Sequence, residues 1–139
     1  MDTRHSTLEV VESGASSLGL GAHARVVTQT EHETPAAFAT RVRSEIEGEA
    51  LHRVVLSVGP GHDFARIAAR AQLAQTAAAF LAAAGGGSLV LAASDPRGEL
   101  AQRALGEILR DQLGASVSVS VTVRDEGAVA LPAAAASAA

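Results

Sequence analysis

The stretch HRVVLSVGPGHDFARIAARAQLAQTAAAFLAAAGGGSLVLAA, residues 52–93, reads as a strand, a long helix and a second strand. His52–Val58 is a mostly apolar run of strand length, and Gly59-Pro60-Gly61 breaks it. Asp63 stands where a helix cap is required, and the helix it opens runs to about Ala84. Gly85-Gly86-Gly87 ends that helix, and Ser88–Ala93 is a second apolar run suited to a buried strand. Such a unit implies two parallel strands joined by a right-handed crossover, and hence an α/β domain.

On its carboxyl side, Asp95-Pro96 repeats the cap signal. Leu100, Ala104, Leu105, Ile108, Leu109 and Leu113 then recur at helical spacing, closed by Gly114. Ser116–Val123 (SVSVSVTV) alternates strictly, which predicts an edge strand with one wet face. On the amino side, Thr34-Pro35 starts a helix with Phe38, Val42 and Ile46 on one face and Gly48 at its end. Ahead of it, Thr7–Glu12 and Ala24–Thr30 read as strands. The Gly/Ser-rich residues Ser13–Gly21 between them predict an antiparallel hairpin. The expected order is β-β-α-β-α-β-α-β: a single α/β domain over residues 7–126, with a mainly parallel sheet and an N-terminal antiparallel hairpin. Residues 1–6 are expected to be a frayed N-terminus, and residues 127–139 a disordered Ala-rich tail.

Composition narrows the function. The 139 residues include no Lys, Tyr, Cys, Trp or Asn, and all eleven basic side chains are Arg. This rules out a Schiff-base lysine, a Tyr/Lys proton relay, a thiolate nucleophile and a Cys-ligated zinc site. The formal charge is −4 with the arginines scattered singly, which argues against nucleic-acid binding. No apolar run reaches membrane-spanning length and no signal-peptide core is visible, so a cytoplasmic location is the expectation.

The groups left for chemistry are five His, fifteen carboxylates and the hydroxyls. If the second, third and fourth strands are parallel neighbours, their carboxyl ends share a rim. That rim would hold Glu31, His32, Glu33, His62, Asp63, Ser94 and Asp95. Two His among carboxylates suit a divalent metal or a general base. The competing reading is that Asp63 and Asp95 cap helices while the His residues lie at the surface, and it is the one adopted. Gly59-Pro60-Gly61 before a helix could offer amides to an anion, but Pro60 removes one donor and there is no Lys. Residues Gly14–Gly21 resemble the glycine fingerprint of short-chain dehydrogenases. They carry one residue too many before the second Gly, no helix is expected to follow them, and the catalytic Tyr and Lys have no counterpart. No Gly-x-Ser-x-Gly elbow occurs.

From about Leu8 to Val123 the element order resembles the STAS domain, the fold of anti-sigma-factor antagonists. The likeness rests on the hairpin, on Glu31–Ile46 as strand exit and first helix, on Val54-Val55-Leu56-Ser57, and on Gly86-Gly87-Ser88-Leu89-Val90-Leu91. In that family the loop after the central strand carries Asp-Ser-(Ser/Thr)-Gly with a phosphorylated Ser. Here the residues are His62-Asp63-Phe64-Ala65, so Phe64 stands at the phospho-acceptor position. The resemblance implies a non-catalytic regulatory module that needs no cofactor or metal and binds a partner protein or a second copy of itself. Gly61, His62, Asp63, Phe64 and Ile67 would form the docking surface, with Phe64 as the apolar anchor. The second apolar face of helix 64–84 fits that reading. There are two rivals: a small-ligand- or metal-binding Rossmann-like domain (including a degenerate dehydrogenase relative) using the loops at the strand carboxyl ends, and a hydrolase-type enzyme using His62 and Asp63.

Overall fold

Helix caps and apolar alternation settle the elements, and the crossover lengths settle how they assemble. The computed structural model describes residues 7–15, 24–48, 51–114 and 116–123. The expected frayed N-terminus and Ala-rich tail lie outside those residues. Along the chain come β1 (Thr7–Val11), β2 (Ala24–Thr28), α1 (Pro35–Glu47), β3 (Arg53–Ser57), α2 (Phe64–Ala83), β4 (Gly87–Ala93), α3 (Pro96–Leu113) and β5 (Val117–Val123). Each helix starts on the residue expected to cap it. Thr34 accepts from the Ala37 amide, Asp63 from Arg66 and Asp95 from Gly98. Each cap satisfies an amide that the first helical turn leaves without a partner.

The sheet corrects the expected topology in two respects. All five strands are parallel, in the order β2-β1-β3-β4-β5. The N-terminal hairpin is therefore replaced by a parallel pair, with Thr7 beside Ala24 and Val11 beside Thr28. The physical reason is the connection between them. Residues 12–23 separate the strands, roughly the dozen a parallel crossover needs and far more than a tight hairpin turn uses. The Gly/Ser content suggested a turn, but the length of the link decides. Second, β1 and not β2 lies beside β3, so the rim imagined across strands two, three and four is interrupted by β1.

From β2 onward every connection steps the same way across the sheet. Right-handed crossovers then place α1, α2 and α3 on one face. Leu8, Val10, Val54, Leu56, Leu89, Leu91 and Val119 point to that face and form the core with Phe38, Val42, Ile46, Leu73, Ala77 and Leu81. Small side chains on α2 (Ala74, Ala77, Ala78) let it lie close to the sheet, which is how an Ala-rich chain builds a dense core. β5 sits at the sheet edge with Ser118, Ser120 and Thr122 exposed, as the alternation predicts. No helix among the described residues is long and apolar enough to cross a membrane.

Candidate functional site

In an open parallel sheet, ligands gather where neighbouring strands send their connections in opposite directions. Here that point lies at the carboxyl ends of β1 and β3. Glu12 follows β1 and is buried there, its amide bonded to the Ser57 carbonyl at 3.0 Å. Its carboxylate accepts from the Gly59 amide at 2.9 Å and takes a two-point contact from Arg70 of α2, at 2.6 and 2.7 Å. The Arg70 guanidinium also donates to the carbonyls of Gly59 and Gly61. Only 7% of the Arg70 side chain and 11% of Glu12 are exposed, so each charge depends on the other.

Gly59 makes this closure possible. A Cβ there would stand 2.3 Å from the Ser13 carbonyl oxygen, so no other residue allows the β1 and β3 loops to meet. Beneath the ion pair is a cavity of about 20 Å³, its walls mostly the apolar Val10, Phe38, Leu56, Val58 and Leu73, with Ser57, Gln102 and the pair supplying the polar groups; that is room for one water molecule. The Ser57 hydroxyl is buried there without a hydrogen-bond partner. Gln102 of α3 closes the other side, its amide nitrogen donating to the carbonyls of Leu56 and Ala92 at 3.2 Å each.

His62 lies just outside the pair. Its Nδ1 is 3.1 Å from Arg70 Nη1, and a guanidinium can only donate, so Nδ1 is the acceptor and the ring hydrogen is on Nε2. Nε2 faces Asp95 Oδ1 at 3.5 Å, too long for a full hydrogen bond, and it is buried with no other partner. Asp95 is held below the ordinary carboxyl range chiefly by the Gly98 amide, with His62 adding to the effect. Asp63 is lowered too, first by the Arg66 amide and then by the Arg66 charge, and it is exposed.

The structure sorts the sequence-predicted residues into separate groups. His62 and Gly61 point inward to Arg70, Asp63 caps α2, and Phe64 and Ile67 stand exposed on its first two turns. His62 is thus tied to Arg70 and Asp95 rather than to Asp63, and neither ring nitrogen hydrogen-bonds a hydroxyl. Glu33 pairs with Arg41, which holds its carboxyl below the ordinary range; Glu31 and His32 are exposed. No group of three or more His, Cys, Asp or Glu suited to a metal forms among the described residues.

Sequence reasoning missed Glu12 and Arg70. The signal was an arginine among the apolar residues of a buried helix face, since such a charge demands a carboxylate. It also missed a second site. Between α2 and α3 runs a groove of about 270 Å³, lined by Ile67, Ala71, Ala101, Ala104, Leu105 and Ile108, with Arg70 and Gln102 at its floor. Phe64 (85% exposed), Leu100 (71%) and Ile108 (52%) leave this side of the protein apolar. The helical stripe of α3 holds the clue. At roughly 100° per residue, Leu100 to Leu113 sweep an arc of roughly 220°, too wide for one buried face.

The chain matches no protein-family model, no curated protein and no solved structure. What the fold and the two sites define is a five-stranded parallel α/β domain with a polar crevice closed by its own side chains and an open apolar groove.

Proposed function

We propose that the protein is a non-catalytic recognition module that docks a protein partner on the α2–α3 face. One observation carries the reading: an apolar groove of about 270 Å³ flanked by exposed Phe64, Ile67, Leu100 and Ile108. The adjoining run of α2 from Ala71 to Ala83 contains no charged residue, unlike a helix built to face water. Phe64 and Ile67 are the anchors of this surface, Asp63 belongs to its polar rim, and Gly61 and His62 support it from behind. The resemblance to STAS regulatory modules points to the same kind of task, although its hairpin is replaced by a parallel pair.

A Rossmann-like ligand module is the second reading, and the all-parallel sheet favours it. Against it stands the Glu12–Arg70 pair, which fills the crevice where the ligand would sit. A metal- or nucleotide-dependent rise in Tm that is lost in His62→Ala would select this second reading over the first.

Site-specific photo-crosslinking in cells tests the docking face. A benzophenone side chain at position 64 should give a discrete covalent protein adduct, and one at Arg43, exposed on α1, should not. Equal labelling at both positions, or none at 64, would sink the proposal.

A further inference from the structure

The outward stripe of α3 reads the same from both ends. Arg97, Leu100, Ala104, Ile108 and Asp111 are all exposed and, at helical spacing, form one line along the helix. Leu100 and Ile108 lie four residues either side of Ala104, and Arg97 and Asp111 lie seven either side. Each half therefore carries the complement of the other: an apolar side chain opposite an apolar one, and a cation opposite an anion.

Nothing among the described residues explains that charge order. Arg97 and Asp111 form no ion pair with another described residue. A cation in the first turn and an anion in the last turn both oppose the helix dipole. On the other faces of the same helix, Glu99 in the first turn and Arg110 in the last follow the dipole, Glu99 pairing with Arg103 and Arg110 bonding to the Val119 carbonyl. Only the outward stripe runs against it.

We infer that the partner docked on this face is a second copy of the chain, its α3 antiparallel to the first, with a two-fold axis passing beside Ala104. This rests on the docking-face reading and names its occupant. A two-fold interface is self-complementary: where residue i meets j, j meets i. Antiparallel α3 helices crossing at Ala104 put the second copy's Asp111 against Arg97 and its Leu100 against Ile108, at the mouth of the groove. Ala at the crossing point lets the helices approach to the short end of the usual separation, about 8–10 Å between axes.

Since the chain has no cysteine, Ala104→Cys introduces a single thiol. Helices packed that closely hold the two Cα atoms about 4–5 Å apart, within disulfide reach. Mild oxidation should link Ala104→Cys into a dimer and leave the Ser44→Cys control monomeric. Sedimentation supplies the second measurement. Arg97→Asp and Asp111→Arg should each weaken the dimer by roughly tenfold or more, because each puts like charges together twice. An equimolar mixture of the two variants should restore it, since every pair across the axis is again of opposite sign. All four residues changed are exposed, so loss of fold does not confuse the result.

A wild-type chain that stays monomeric at high concentration overturns the inference. So does a dimer indifferent to both charge reversals, or one that the mixture fails to restore. The recognition reading outlives those results if position 64 still yields an adduct heavier or lighter than twice the chain.

Discussion

The crevice between β1 and β3 and the groove between α2 and α3 share Arg70 and Gln102 in their linings, yet they differ in almost every other respect. The crevice lies where an open parallel sheet usually receives its ligand. In this protein it is filled by a buried ion pair, two loop carbonyls and a space the size of one water. The groove has no such pedigree, but it is open, apolar and many times larger. The difference teaches that the topological address alone does not decide where the open space lies. The crevice is closed by its own side chains, and the larger open apolar surface lies on the helices.

The largest effect should come from breaking the crevice. Arg70→Ala removes the partner of a buried carboxylate, along with the bonds to Gly59 and Gly61. A loss of about 3–5 kcal/mol is expected, measured by urea unfolding. The double variant Arg70→Met/Glu12→Leu leaves no unpaired charge and should recover much of that loss. If Arg70→Ala cost under about 1 kcal/mol, the pair would not be what closes the crevice.

Gly59→Ala probes the same closure through the backbone and should cost less. Its Cβ would collide with the Ser13 carbonyl, which belongs to backbone and cannot swing aside. About 1–3 kcal/mol is expected, as for other overpacked sites, together with faster amide exchange at Gly59, whose hydrogen goes to Glu12. A variant as stable as the wild type would mean that the two loops do not meet as described.

How far the sequence announced this arrangement differs between the two regions. Each helix start was legible because a cap is a local event: Thr34, Asp63 and Asp95 each bond an amide three residues ahead. Core strands such as Val54–Leu56 and Leu89–Leu91 were legible from apolar content alone. The direction of β2 was not. Residues 12–23 have turn-like composition, and only their number marks a crossover. The crevice was hidden for a different reason: Glu12 and Arg70 are 58 residues apart, and no local pattern records a contact of that range. The groove was half visible. Phe64 and Ile67 stood out as docking residues, whereas Leu100 and Ile108 were part of one helical stripe whose arc is too wide for a single buried face.

The smallest effect separates the regions by acid. Asp95 is held below the ordinary carboxyl range by the Gly98 amide and then by His62, so its ionised form is favoured by folding. A group lowered in this way contributes its full share above its unfolded value, near pH 4 for Asp, and loses it as pH falls through the lower folded value. Asp95 is partly exposed, so after solvent screening its share is below about 1 kcal/mol. Asp95→Asn keeps an oxygen for the Gly98 amide, because Asn caps helices as well as Asp does, but it carries no charge to lose. Tm followed from about pH 7 down to about pH 3 should therefore fall less steeply in Asp95→Asn than in the wild type. The groove offers no such handle, since its lining holds no carboxylate or imidazole. Parallel profiles for the two proteins would mean that Asp95 acts only as a cap, with His62 held in place by Arg70 alone.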